Sequence, residues 1–329
     1  MSLQRILIDA DPGIYDALGI ALALFEPRLD VVGLTAVAGR VTASQATHNL
    51  WGILSTVDPP KWPRVGAADT PESTYEQTRL SERFGSAYKF LRDLHGEQGM
   101  GSWLSTEVRR HHERSAAKVL IDCAREYAGQ LVVVTLGPLT NVALAGEMDP
   151  DFFCKLKKLV CFGGTWIGPG DLSPTSEFNV AVNIAAAQRV LHAPCPKTLV
   201  PLDIGRQLVL TYNHLRELPL PELSMRAHFF HTLISDGLRA HHQLCGQECL
   251  WLMEASAICY VAQPELFNTE LQAVEIETEG VHTRGMTIFD RRPVREWRPN
   301  IHVVTEVDTA GALDHLLRTI WNALSNFGP

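Results

Sequence analysis

The chain has 329 residues, of which 46% are hydrophobic and 20% charged, with a formal net charge of −8. That length supports a large buried core, either one big α/β domain or a domain with appended lobes. The acidic balance, with basic residues spread rather than banked, excludes the basic stripe that a nucleic-acid surface needs, and no apolar run is long enough to span a membrane. Met1-Ser2-Leu3 leads into a first strand without a signal-peptide pattern, so a cytoplasmic protein acting on small molecules is expected. The seven cysteines are odd in number and scattered, and Cys123, Cys161 and Cys259 sit inside apolar patterns, as reduced core residues do.

Short β-rich runs alternate with helical patterns, the signature of βαβ units. In chain order the pattern predicts a strand at 6–9, a helix at 17–25, a strand at 31–38, and helices at 43–56 and 115–127. A strand at 131–136, a helix at 141–147, a strand at 159–162, a helix at 184–191 and a strand at 198–201 follow. The Pro- and Leu-rich stretch 218–224 separates off a helical segment, and 225–259 reads as two helices. Antiparallel strands at 271–278 and 285–289 and a helix at 309–324 complete the chain. The expected fold is α/β, with a mainly parallel central sheet flanked by helices. It forms a single domain over 1–329, in which 210–262 are an additional helical segment closing over the site. In such folds ligands bind beyond the carboxyl ends of the strands, where four suggestive loops fall: 9–16, 39–40, 137–141 and 163–179.

The first of these loops is the most informative. Asp9 and Asp11 lie two residues apart at the end of an apolar strand, so they share one face; Pro12-Gly13 turns the chain, and Asp16 falls in the first turn of the next helix. Three acids at one spot need a hard cation or shared protons, and oxygen ligands of this kind suit calcium or magnesium. Two other readings of local motifs are weaker. Cys245 and Cys249 with His241 and His242 upstream would make a zinc cluster, but there is no second cysteine pair. Asp-x-Asp after a first strand also begins the haloacid dehalogenase-type phosphatases, but Pro12-Gly13 replaces the expected Gly-Thr, and no late lysine with an acid pair is seen.

Asp9-Ala10-Asp11-Pro12-Gly13 with Asp16 resembles the N-terminal signature of the inosine-uridine-type nucleoside hydrolases, and the likeness covers nearly the whole chain. His95-Gly96-Glu97-Gln98-Gly99-Met100-Gly101 looks like that family's substrate loop, and Leu136-Gly137-Pro138-Leu139-Thr140-Asn141 like its loop offering a carbonyl to the metal. Ser176-Glu177-Phe178-Asn179 looks like its ribose-binding segment, and 285–287 and 290–293 also have counterparts. The resemblance implies a nucleoside hydrolase-like, Rossmann-like topology and hydrolysis of the N-glycosidic bond of a ribonucleoside, releasing base and ribose. It implies Ca2+ held by Asp11, Asp16, the Leu136 carbonyl and Glu254, with Asp11 as general base and Asp9 orienting the cluster by hydrogen bonds. Glu177 and Asn179 would grip the sugar hydroxyls and His95 would ride a mobile lid. The implied partner is a nucleoside-like small molecule, with no nucleic acid and no membrane, and the implied assembly is a homodimer or homotetramer.

The chain also departs from that pattern. Tyr15 stands where a second acid is usual, Arg40 where asparagine is usual, and Asp171 where the ribose loop has another asparagine; all three are expected to line the substrate site. Leu252-Met253-Glu254-Ala255 aligns with a late His-Asp pair, so Glu254 keeps a carboxylate on a longer arm while Met253 cannot donate a proton to the leaving base. His241 or His242 is then the candidate acid. The competing reading is a catalytically impaired nucleoside- or ribose-binding homologue.

Overall fold

The computed structural model describes residues 3–68, 73–103, 114–219, 222 and 224–325, with residues 73–80 described by backbone alone. Among these, the strands in chain order are β1 (Gln4–Ala10), β2 (Leu29–Ala36), β3 (Arg64–Ala67), β4 (Arg114–Ser115), β5 (Val132–Thr135), β6 (Lys158–Phe162) and β7 (Lys197–Val200). They are followed by β8 (Val209–Thr211), β9 (Cys249–Trp251), β10 (Phe267–Gln272), β11 (Val274–Ile276), β12 (Thr287–Phe289) and β13 (Ile301–Val307). The central sheet runs β10-β13-β7-β6-β5-β1-β2-β3-β4, and every neighbouring pair is parallel except the edge pair β10 and β13.

Parallel neighbours need crossovers, and the crossovers here are helices that cover both faces, which is why the middle strands read as apolar runs rather than alternations. Along β1, Ile6 and Ile8 join Val132, Val134 and Val160 in a core under the helices Ile14–Phe25, Met225–Cys245, Met253–Ala262 and Thr309–Ser325. Leu7, Val133, Leu159 and Cys161 point the other way, into a second core under Ala116–Glu126, Thr140–Met148 and Ile184–Leu191. Asp9 and Asp11 have the parity of Leu7, and they lie where the apolar stretch of β1 gives way to a turn. The chain order of the sheet places the ends of β1, β2, β5 and β6 side by side. The loops at 11–16, 37–42, 136–140 and 163–177 therefore crowd around one point.

The parallel strands expected from the sequence occur within a residue or two of their predicted ends, and the helix Ile184–Leu191 matches at both ends. The expected strand at 271–278 is a correction. Leu271 and Gln272 close β10 against β13, while Val274–Ile276 starts a separate two-stranded sheet with β12. The apolar alternation runs through the break because the Asn300 side chain, bonded to both Val274 N and Val274 O, hands the chain from one sheet to the other. The helix Ser73–His95 had no counterpart in the pattern; Gly85 interrupts it with φ 47°, ψ −113°. Of the 218–224 stretch, residues 220, 221 and 223 lie outside the described residues. Among the described residues no helix is long and apolar enough to cross a membrane.

Leu34 on β2 has no solvent contact and packs in the larger core. Leu34→Ala is expected to cost about 2–5 kcal/mol, read as a lower urea midpoint with an unchanged denaturant slope. A loss below about 1 kcal/mol would mean that this core does not carry the sheet.

Candidate active site

The carboxyl end of β1 is fixed before it does any chemistry. Asp9 Oδ1 accepts a hydrogen bond from Thr35 Oγ1 at 2.6 Å and from Asn141 Nδ2 at 2.8 Å, and the same Asn141 nitrogen donates to the Ala36 carbonyl at 2.7 Å. One side chain at a helix start thus ties β1 to β2. Asp11 lies between Gly39 and Gly137: a Cβ at either glycine would fall 2.1 Å and 2.5 Å from its carboxylate oxygens. Only glycine fits at these two positions. Asp16, in the first turn of the helix Ile14–Phe25, accepts from Gly13 N at 3.2 Å through Oδ2 and faces the same centre.

The centre is the guanidinium of Arg40. Its Nη1 lies 3.4 Å from Asp11 Oδ1 and 3.4 Å from Asp16 Oδ2, and its Nη2 donates to Glu254 Oε1 at 2.9 Å. Its backbone N–H donates to Asp11 Oδ2 at 2.8 Å, and the Phe178 ring lies 5.1 Å beneath it in a cation–π contact. All three acids have no solvent exposure and the arginine side chain only 4%. Glu254, from the start of the helix Met253–Ala262, is 238 positions from Asp16 (254 less 16) and meets it here. Three buried carboxylates against one cation leave an excess of negative charge, which protons must share. Burial raises Asp11, and burial with the neighbouring acids raises Asp16 well above the usual carboxylate range. Glu254 rises to about 7, driven first by burial, opposed by Arg40 and reinforced by Asp11. Against the desolvation of Arg40 itself, the carboxylates of Glu254, Asp11 and Asp16 keep it charged.

The calcium set expected from the sequence was Asp11, Asp16, Glu254 and the Leu136 carbonyl, and as they stand these residues do not fit a divalent ion. The guanidinium fills the space between the carboxylates, and among the described residues no three His, Cys, Asp or Glu side chains converge on one ion-sized point. The Leu136 carbonyl accepts from Asn179 Nδ2 at 2.7 Å. The same geometric result holds for the zinc reading of Cys245 and Cys249.

The rim is built from neutral rings. Tyr15 Oη and His241 Nε2 share a hydrogen bond at 2.5 Å between two neutral rings, since burial pushes His241 down to about 4 and Tyr15 well up. His95 is buried, not a surface residue. Its Nδ1 accepts from Ile14 N at 3.0 Å, and its ring meets Tyr15 edge-on at 4.6 Å. Burial and the nearby Arg40 hold His95 neutral, so the acceptor role of Nδ1 puts the proton on Nε2, a buried donor with no partner among the described residues. His242 is exposed on the helix Met225–Cys245 and outside this group, which corrects its pairing with His241 as a candidate acid. Met253 packs in the core.

The ribose-loop residues are held by backbone. Glu177 accepts from Gly164 N, Asn179 N and Val180 N at 2.8, 2.8 and 3.2 Å as the cap of the short helix Phe178–Val182. Burial and then the Asp171 carboxylate raise it to about 8 against those three donors. Asp171 Oδ1 accepts from Phe178 N at 2.8 Å, and Asn179 Oδ1 is buried with no partner among the described residues. Sequence reasoning missed Asn49, whose Nδ2 donates to the Pro12 and Gln98 carbonyls and so laces the first loop to the His95 loop. It also missed Asp236, which anchors that loop by accepting from Ser102 N and Oγ at 2.6 Å. Neither belongs to a recognisable motif; only the contacts reveal them. Phe178 lay inside a motif already singled out, and its role under Arg40 is set by three-dimensional packing.

Because Glu254 keeps its proton in the folded chain to about 7, whereas a free glutamate loses it near 4.5, the folded state binds more protons over that interval. Its contribution to stability therefore falls as pH rises from about 4.5 to about 7 and levels off above. Glu254→Gln is expected to remove that fall, so urea midpoints measured at about pH 5 and about pH 8 should favour the variant progressively. Parallel pH profiles for wild type and variant would refute the assignment.

The model of the inosine-uridine preferring nucleoside hydrolase family matches residues 6–314. The non-specific ribonucleoside hydrolase RihC of Klebsiella pneumoniae is 31% identical over 315 residues, covering 93% of this chain and 94% of the relative. Uridine nucleosidase 1 of Arabidopsis thaliana is 30% identical over 327 residues, covering 95% and 92%. Among solved structures, the plant nucleoside hydrolase PpNRh1 superposes with a TM-score of 0.82 at 26% identity over 96% of this chain and 98% of its own. A purine-preferring ribonucleoside hydrolase from Gardnerella vaginalis shares the fold, with a TM-score of 0.85 at 24% identity over 97% of this chain and 99% of its own. With its sheet order, its acid cluster and this match along nearly its whole length, the chain belongs to the inosine-uridine preferring nucleoside hydrolase family of enzymes.

Proposed function

We propose that this enzyme hydrolyses the N-glycosidic bond of ribonucleosides, releasing free base and ribose. The observation that carries the reading is the meeting of Asp11, Asp16 and Glu254 around one cationic centre at the carboxyl end of β1, within a chain of this family. Water attacks the anomeric carbon as the bond to the base breaks. The water proton goes to Asp11, and the base leaves with the bonding electrons. Asp11 suits the role of base, since burial raises its proton affinity above that of an exposed carboxylate and two contacts from Arg40 fix its orientation.

The sugar passes through an oxocarbenium-like state, whose positive charge favours the ionised form of the raised carboxyl groups Asp16, Glu177 and Asp171 and is stabilised by them in turn. Among the buried polar atoms with no partner among the described residues, Asn179 Oδ1 is an acceptor and His95 Nε2 a donor, matched to the hydroxyls of ribose. His241 is neutral at physiological pH, so it serves as a hydrogen-bond relay through Tyr15 rather than as a cationic acid. A leaving base with its own low proton demand, or one protonated from solvent, fits this rim best. The lack of a basic stripe supports a small, nucleoside-like substrate.

Incubation with a panel of purine and pyrimidine ribonucleosides, run in parallel with calcium and with chelator, is expected to release base and reducing sugar in at least one condition. Asp11→Asn should lower kcat by about 100-fold or more with a smaller change in KM, because the base acts in the transition state. If no nucleoside is cleaved under either condition, yet nucleosides or ribose raise the melting temperature, the chain is instead a binding homologue.

A further inference from the structure

The family's implied chemistry places a divalent ion among the acids that here surround Arg40, and the two cannot share the space. A calcium shell needs six to eight oxygens at about 2.3–2.6 Å. To supply it, Asp11, Asp16 and Glu254 would have to close onto a point now filled by the planar guanidinium, which lies 2.9–3.4 Å from each. Arg40 is not free to swing away. Its backbone N–H is bonded to Asp11, Phe178 lies under its plane, and its side chain is almost wholly buried. The arginine comes from a tight loop in which Gly39 N donates to the Val41 carbonyl at 3.1 Å and Gly39 packs against Asp11, so the side chain starts beside the acids and has nowhere else to go. The carbonyl on the opposite wall, at Leu136, is engaged by Asn179.

We propose that Arg40 is the resident cation of this site, replacing the divalent ion, so that the carboxylate cluster takes up no calcium and the enzyme works without it. The catalytic half of this inference rests on the hydrolase reading given above; the binding half does not. An arginine at this position neutralises part of the cluster's charge with a group that cannot be chelated away or diluted out, and its forked donors fix each carboxylate in a defined direction. It cannot polarise a bound water as a divalent ion does. The chemistry then leans on Asp11 as base and on the carboxyl groups around it.

The full-length protein, stripped with EDTA and moved to metal-free buffer, is titrated with calcium chloride. Bound calcium is measured by elemental analysis and the melting temperature is followed at each step. The wild type is expected to retain no calcium, to show no shift in melting temperature, and, on any nucleoside it cleaves, to change kcat/KM by less than about 2-fold on chelation. Arg40→Asn, which uncovers the acids, is expected to melt lower in EDTA and to regain stability with calcium while binding close to one ion per chain. Calcium bound stoichiometrically by the wild type, or nucleoside cleavage lost in EDTA and restored by calcium, overturns the proposal. A folded Arg40→Asn that binds no calcium overturns it equally. Should Arg40→Asn fail to fold, the wild-type arms decide. If no nucleoside is cleaved at all, the hydrolase reading fails while the calcium measurements still judge the role of Arg40.

Discussion

The site depends on one guanidinium held among three carboxylates that water does not reach. Each of those acids, alone at zero exposure, would be too costly to ionise; together they would repel. Arg40 turns the repulsion into a network, and the protons shared by Asp16 and Glu254 take up the remaining charge. Removing one member of such a network leaves its partners buried and uncompensated, commonly at a cost of about 3–5 kcal/mol. The cluster is therefore a constraint on the fold as well as a site, because it joins the end of β1, the loop after β2 and the start of the helix Met253–Ala262.

That constraint is met by the scaffold rather than by the loops themselves. A parallel sheet delivers the carboxyl ends of β1, β2, β5 and β6 to one edge, and Asp9, held by Thr35 and Asn141, locks two of those ends together beneath the cluster. Gly39 and Gly137 bring two backbones against the Asp11 carboxylate at distances no side chain would allow. The geometry of the cluster is precise because its supports are strands and helix starts, which are rigid, while the loops only close the gaps.

Next to this cluster, Tyr15, His95 and His241 form a neutral, edge-packed group with no cation of their own. The arrangement sets a buried charged cluster beside a buried group of uncharged, hydrogen-bonding rings. The acids themselves are fully covered. Three glycines of the His95 loop, Gly96, Gly99 and Gly101, sit at φ 77°, 84° and 60°, a backbone path that ordinary residues resist and that Asn49 and Asp236 tie down.

The sequence by itself determined the parallel α/β architecture, because strand and helix periods are local and the buried strands are plainly apolar. It also marked Asp9, Asp11 and Asp16, whose spacing converges through strand alternation and one turn, and it brought Glu254 and Arg40 forward as departures from a known pattern. It did not foresee the helix Ser73–His95 or the division of 271–278 between two sheets, since those depend on partners far along the chain. Only the tertiary structure decided what the acids hold. Whether a charge beside three carboxylates flanks an ion or takes its place is a matter of a few ångströms, set by Phe178 from below, by the backbone of Arg40 and by the reach of a glutamate from the opposite end of the polypeptide. No run of neighbouring residues encodes that distance.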